Sequence, residues 1–414
     1  MELSSNDVAV LRELAAQYFE IAALPRQKET RALWLALNHC RMQRPMVVLD
    51  QIPWHEMDVD GLLENRVQHP YWREVETELR RTLYRHKYMP VDMVVNPYIT
   101  LPRPIEYTGY GLGVEEETAI TDEKNTVISH KFTSQLRQME DLEKLGTPKA
   151  ILHRDAEAEI RQQAGHIFAG IGPFVMVGLR LHSGLWDFIS QWITLEEIYI
   201  DLIDRPEFLH AVMEKLTTAT VELIEQMNRD RLFDAYTNVC HCSYTFREDL
   251  PAPGADLDYP TSRDTWIFGL AQLFTSVSPA VTAEFEVPYM QRIFPYFGAV
   301  YYGCCDRLDD RLDIVTQLPN IRKISCSPWS NREAFAEKLP KGYVMSNKPN
   351  PSFLLGGSLD TGTIRADIRR TISAAKAYDA PLEMILKDIS TLQYQPQRLW
   401  EWASIAMEEV QRGT

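Results

Sequence analysis

The sequence predicts an α/β fold, a TIM (β/α)8 barrel with an N-terminal helical extension and a β-hairpin insertion. Three observations predict it. Eight short runs read as buried strands, and most are separated by stretches with apolar residues at three- and four-residue intervals. No Gly-x-Gly-x-x-Gly follows the first run to favour an open doubly wound sheet. The 414 residues suit one decorated barrel, and the 45% apolar content is ample for a large core.

Residues 1–43 form the extension, with helical spacing from Asn6 to Ala36 (Val8, Leu11, Leu14, Ala15, Tyr18). Residues 44–414 form the barrel. Its first strand is Arg44-Pro-Met-Val-Val-Leu-Asp50, and a helix over 71–87 leads to a second, Asp92-Met-Val-Val-Asn96. Residues 97–135 alternate Thr, Tyr and Val with Gly and charge (Tyr107 to Val114, Thr126 to His130), the pattern of an antiparallel hairpin, with Glu115 to Glu117 as its solvated turn. Helices at 138–145 and 156–165 precede the third strand, Gly172 to Gly178. Two more follow, 195–203 and 207–228, separated by Asp204-Arg-Pro206 as cap and breaker.

The fourth, fifth and sixth strands carry cysteine: Asn238-Val-Cys-His-Cys-Ser-Tyr244, Ala299-Val-Tyr-Tyr-Gly-Cys-Cys-Asp306 and Ile321-Arg-Lys-Ile-Ser-Cys-Ser-Pro328. Residues 245–262 read as a long loop of the kind that is usually functional. Helices are expected around 266–275 and 279–294, with Trp266, Phe268, Phe274 and Phe285 as helix-borne core, and 312–318 separates the fifth strand from the sixth. Gly342 to Ser346 and Leu382 to Leu386 complete the strands. The chain closes with helices at 363–377 and 397–410.

The net charge of −15 and the lack of a basic patch argue against a nucleic-acid partner. No run of 18 apolar residues suggests a membrane span, and Met1 to Asp7 lacks a charged-then-apolar leader. Six cysteines in a long chain, most of them in strand-like runs, read as reduced thiols of a cytoplasmic protein.

In a barrel of this kind the chemistry sits at the C-terminal ends of the strands. The candidates are therefore Asp50, Trp54 and His55; Asn96 and Tyr98; Arg180 and His182; His241, Cys242 and Tyr244; Cys304, Cys305 and Asp306; Cys326 and Trp329; Asn347 and Lys348; Lys387 and Asp388. Each has a bland counterpart: a buried cysteine is often core filler, Arg180 could pair with Asp187, and Lys387-Asp388 could be an ion pair over the barrel mouth. Side chains alternate along a regular strand, so each strand offers one inward ligand: His241 or a flanking cysteine, one of Cys304 and Cys305, and Cys326. Three protein ligands and an open fourth position is the catalytic zinc pattern.

Several loose motifs together resemble the uroporphyrinogen decarboxylase superfamily, which includes corrinoid-dependent methyltransferases. They are Gly172-Pro-Phe174, Asp201-Leu-Ile-Asp-Arg-Pro-Glu207, Tyr302-Gly-Cys304, Arg322-Lys-Ile-Ser-Cys-Ser327, Met345-Ser-Asn-Lys-Pro-Asn-Pro351 and the closing segment Lys387 to Leu399. The resemblance covers roughly residues 170–400 and implies a TIM barrel and a homodimer. It also implies methyl transfer between a small-molecule substrate and a corrinoid carried by a partner protein, with zinc assisting. Cys304 matches a family zinc ligand. Tyr302 stands where the family has His, and Lys387-Asp388 where it has a last-strand Cys, so His241 and Cys326 are the replacement ligands expected here, with Cys305 as the alternative to Cys304. Tyr302 or Tyr244 then serves as proton donor or hydrogen-bond partner, and Trp54 and His55 line the pocket. Two alternatives stand beside this reading. One is a metal-free decarboxylase, with Arg180, Lys348 and Asp50 as anchors and proton donor and Asn347 at the same strand exit. The other is a non-catalytic barrel that binds a corrinoid or tetrapyrrole.

Overall fold

The computed structural model describes residues 3–412 except 121, 126 and 127; Thr126 and Val127 of the expected hairpin, like Met1 and Glu2, lie outside the described residues. Two N-terminal helices come first. Helix α1 (Ser5–Ala22) begins on a capping box between Ser4 and Asp7, and α2 (Pro25–Asn38) carries its proline in the first turn, where no N–H is needed.

Eight strands run parallel: β1 (Met46–Leu49), β2 (Ile99–Pro102), β3 (Phe174–Val177), β4 (Trp266–Gly269), β5 (Ala299–Tyr302), β6 (Ile321–Cys326), β7 (Val344–Asn347) and β8 (Leu382–Leu386). Six of them form one sheet in the order β1-β8-β7-β6-β5-β4, and β2 pairs with β3 in a separate sheet. The two sheets meet where the chain beyond β3 touches β4 through the single bridge His182↔Phe268; a second bridge, Leu179↔Phe233, flanks it. No strand ladder joins β1 to β2 among the described residues, so hydrogen bonds do not close a barrel.

Two expected strands are corrected. Met93 to Asn96 form no strand, because Asp92 anchors this stretch as a loop: its carboxylate accepts from Val47 N at 2.9 Å and pairs with Arg44. The strand lies further on, at β2. Residues 238–244 are not a sheet strand either. They make a two-residue antiparallel hairpin, Val239–Cys240 against Ser243–Tyr244, turned at His241, whose φ is 53°. The parallel partner of β5 is instead β4, a segment read from the sequence as helix. A four-residue apolar run has no period that separates strand from helix, and here sheet pairing decides.

The hairpin insertion is a pair of exposed strands, Glu116–Ala119 against Ser129–Phe132; Glu116 and Glu117 lie in a strand, not a turn. A second antiparallel pair joins Ile105–Tyr107 to Ala150–Leu152. Among the described residues no helix is long and apolar enough to cross a membrane.

The six-stranded sheet has two unlike buried faces. The outer face (Val47, Leu49, Ile267, Val300, Ile324, Met345, Met384, Leu386) packs on the helices in one large apolar cluster. The inner face (Met46, Val48, Trp266, Phe268, Tyr301, Val344, Ile385) packs on Trp34 and Leu37 of α2 and on Cys240 and Cys242 of the hairpin. Alternation along each strand sets this division.

Candidate functional site

The inner face carries buried polar groups at three levels. Deepest, Lys323 Nζ pairs with Glu383 Oε2 at 2.7 Å, both side chains fully buried, and donates to Ser243 Oγ and the Tyr244 carbonyl. Next, Lys348 Nζ donates to the Tyr301 hydroxyl and to Ser346 Oγ, and Tyr301 lies 3.6 Å from Cys242 Sγ. At the C-terminal end of the sheet, Lys387 Nζ lies 2.7 Å from Cys304 Sγ and 2.9 Å from His241 Nε2.

This top level owes its shape to three breaks in regular structure. Strand β5 stops at Tyr302, and Gly303 turns the chain with φ +87°; a Cβ there would meet Leu308 at 2.6 Å. Past that turn the alternation rule no longer applies, so Cys304 and Cys305 place their sulfurs 3.8 Å apart on one side. The Asp306 carboxylate fixes the turn by accepting from Cys304 N and Ala271 N. His241 leaves the hairpin in a left-handed conformation and stacks on Phe268, centroids 3.9 Å apart and 9° from parallel. Asp388, with φ 57°, follows β8 and brings Oδ2 to 3.4 Å from Cys305 Sγ.

The electrostatics split the two thiols. The Cys305 thiol, the His241 ring and the Lys387 ammonium hold Cys304 well below the ordinary thiol range, against the opposing effect of burial. Cys305 is pushed up by its bond to Cys304, by burial and by the charges of Cys304 and Asp388. Burial opposes the Lys387 charge, but the sulfurs of Cys242 and Cys304 and the Asp388 carboxylate keep it above its usual value. The Lys387 ammonium beside Cys304 and the Asp388 carboxylate beside Cys305 favour negative charge on Cys304 over Cys305, an arrangement suited to metal ligation or nucleophilic attack.

Cys304, Cys305 and Asp388 offer three ligand atoms within 4.8 Å of one another. Tetrahedral zinc separates two sulfurs by about 3.8 Å, and a sulfur from a carboxylate oxygen by about 3.6 Å. The observed 3.8 and 3.4 Å separations fit that donor set. Next to it His241 Nε2 lies 3.8 Å from Cys304 Sγ, although the Lys387 ammonium stands between them.

The remaining expected residues are placed elsewhere. Cys326 and Tyr302 point to the outer face among aliphatic side chains. Burial raises the Cys326 thiol to about 12, and Tyr302 donates to Glu286 at 3.3 Å. Neither reaches the cysteine pair, because both lie within regular strand on the wrong side of the alternation. The Tyr244 hydroxyl accepts from Val94 N, and its ring packs on Trp34. Asp50 follows β1, half-buried, where its charge acts on Cys242 and Tyr244. Trp54 lies under Arg81 and Arg85, and His55 faces Glu56 and Tyr394. Asn347 Nδ2 bonds the Cys326 carbonyl, and Lys348 belongs to the middle level. Arg180 pairs with Asp234 at 3.6 Å, not with Asp187, and faces a cavity. Asp388, expected from the sequence only as a strand-end candidate beside Lys387, completes a candidate three-ligand set with Cys304 and Cys305; its signal is its place directly after the last strand.

Two cavities flank the cluster. One of about 440 Å³ is lined by Arg180, His182, Cys240, His241, Trp266 and Phe268 among others. The second, about 630 Å³, is lined by Asp187, Cys305 and Trp329, with Phe132 from the hairpin insertion at its rim.

No protein-family model matches this chain, and no curated protein matches its sequence. Among solved structures, a methyltransferase from Methanosarcina mazei is similar over 92% of this chain and 98% of its own, with a TM-score of 0.50 and 15% identity. The likeness concerns the fold.

Proposed function

We propose that this chain is a methyltransferase whose eight parallel strands form a TIM barrel around the Cys304 cluster. It moves a methyl group between a small methylated compound and a corrinoid carried by a partner protein. The observation that carries the reading is the thiolate–thiol–carboxylate triplet Cys304, Cys305 and Asp388 at the C-terminal end of the sheet. The fold it shares with a protein described as a methyltransferase supports the same class of chemistry.

Zinc is the ion this donor set suits, held by Cys304, Cys305 and Asp388. There it supplies Lewis acidity toward a substrate sulfur or oxygen. The chain's own groups do the rest. Lys387 keeps its proton on Nζ and offsets negative charge at Cys304. It also lies within hydrogen-bond distance of His241 Nε2 and so links that ring to Cys304. The stacked Phe268 and the surrounding burial keep water from the sulfur. Purification without chelator followed by metal analysis is expected to give one zinc per chain, lost in a C304A/C305A variant together with methyl transfer to free cob(I)alamin. Metal-free protein, with full activity in that variant, would overturn the proposal.

One observation favours a second reading. The Lys387 ammonium, 2.7 Å from Cys304, already balances the thiolate without a metal. Cys304 then attacks the methyl carbon itself: an S–CH3 bond forms, and the donor's carbon–heteroatom bond breaks with its electron pair left on the heteroatom. This predicts a mass gain of about 14 Da on Cys304 after incubation with donor alone.

A further inference from the structure

Strands β1 and β8 pair in parallel, so the segments leaving their C-terminal ends start side by side. The segment after β1 runs into the short turn Trp54–Glu56, where Glu56 is 4% exposed. Among the described residues no lysine or arginine pairs with its carboxylate; the basic group beside it is the His55 ring, with Nε2 3.5 Å from Oε1. The hydrogen bonds this carboxylate accepts come instead from the segment after β8. Oε1 accepts from the Thr391 hydroxyl at 2.5 Å, and Oε2 accepts from Leu392 N at 2.5 Å and from Tyr394 N at 3.1 Å. Taking a carboxylate out of water is costly unless hydrogen bonds replace its hydration, and here a single loop supplies them.

The same loop brings Asp388 to the cysteine pair. Asp388, Gln393 and Tyr394 all hold left-handed backbone, with φ of 57°, 57° and 55°, and none of them is glycine. Each such residue is disfavoured on its own and persists where its surroundings fix it. Buried Ile389 and Leu392 seat the loop in the apolar core, but apolar contact has no direction. The Asp388 side chain itself is 43% exposed, while a metal ligand must be held to within about 0.5 Å of its place. We infer that Glu56 is a positioning residue for the Cys304, Cys305 and Asp388 set. By clamping Thr391, Leu392 and Tyr394 it fixes the loop that sets Asp388 Oδ2 against Cys305 Sγ. The inference rests on the reading of these three residues as metal ligands; the clamp itself does not depend on a metal.

Zinc titration of the full chain against a chromophoric chelator, with hydrogen exchange of the backbone amides at 389–394 read in parallel, tests it. E56A should weaken zinc binding by roughly tenfold or more and speed exchange in the loop. E56Q should stay within about threefold of the parent: its carbonyl accepts from Leu392 N and Tyr394 N while its amide donates to the Thr391 hydroxyl. T391V removes one bond only; it should give the effect of E56A at a smaller size, and it serves if E56A fails to fold. In a D388A background E56A should cost no further zinc affinity, because a residue that acts through Asp388 has nothing left to position. A merely structural role would weaken zinc equally in both backgrounds. Unchanged zinc affinity in a folded E56A, or an equal loss in the D388A background, would each overturn the inference. A parent that binds no zinc would overturn the ligand reading instead. Loop exchange then decides the clamp alone: faster exchange in E56A upholds it, and unchanged exchange refutes it.

Discussion

The outer and inner faces of the six-stranded sheet are carried by the same strands and buried to the same degree, yet they differ in chemistry. On the outer face aliphatic side chains meet the helices, and one cysteine, Cys326, is filler among them. On the inner face three lysines lie buried at 0 to 2% exposure, with Glu383, Tyr301 and Cys304 as their partners. Apolar packing accounts for stability without requiring specific chemistry, whereas each buried ammonium needs a matching acceptor at its own level. A molecule that keeps three such groups on one face has dedicated that face to polar chemistry.

Four experiments would break or sharpen this contrast, from the largest expected effect to the smallest. Replacing Cys304 by Ala should lower methyl transfer by about 10³-fold or more, because it removes the thiolate itself; steady-state rates and metal content read the result. Lys323→Met should destabilise the fold by roughly 3–5 kcal/mol, since Glu383 is left buried and unpaired. In urea unfolding, the double variant K323M/E383L should recover most of that loss. If the single variant is instead neutral, the lowest level of the inner face is not an ion pair.

The third experiment uses Glu286, on the outer side, where burial and then the Asp306 charge raise its carboxyl well above 4.5 while Oε2 stays unpartnered. The folded state therefore holds a proton that the unfolded chain has released above pH 4.5, and stability falls as pH rises toward the folded pKa. The slope from this group reaches about 1.4 kcal/mol per pH unit. E286Q should flatten that part of the stability profile, and an unchanged profile would show that Glu286 is not the source. Last, Cys326→Ala should cost about 1 kcal/mol of stability while leaving metal content and activity as they were. A loss of bound metal in C326A would restore the ligand set expected from the sequence.

Much of the fold was legible because its strands are short Val- and Ile-rich runs flanked by turn residues, as at Met46–Leu49, Phe174–Val177 and Leu382–Leu386. The two strands that were not found show why reading stops where it does. Ile99–Pro102 ends in proline inside a region that alternates like a hairpin, and Trp266–Gly269 is four apolar residues with no diagnostic period. Their state depends on partners 75 and 33 residues away in the chain, at Phe174 and Ala299.

The cysteine pair followed the same division. The chain alone placed Cys304, Cys305, His241, Lys387 and Asp388 at element ends, because local pattern fixes where strands stop. It also required only one of Cys304 and Cys305 to face inward, a rule that holds only while a strand stays regular. The turn at Gly303, the left-handed backbone at His241 and Asp388, and the side of the sheet on which Cys326 falls were settled by tertiary structure. These are contacts between segments distant in sequence, where packing overrides local propensity. They decided which thiols meet, and they put Asp388 in the place expected for Cys326.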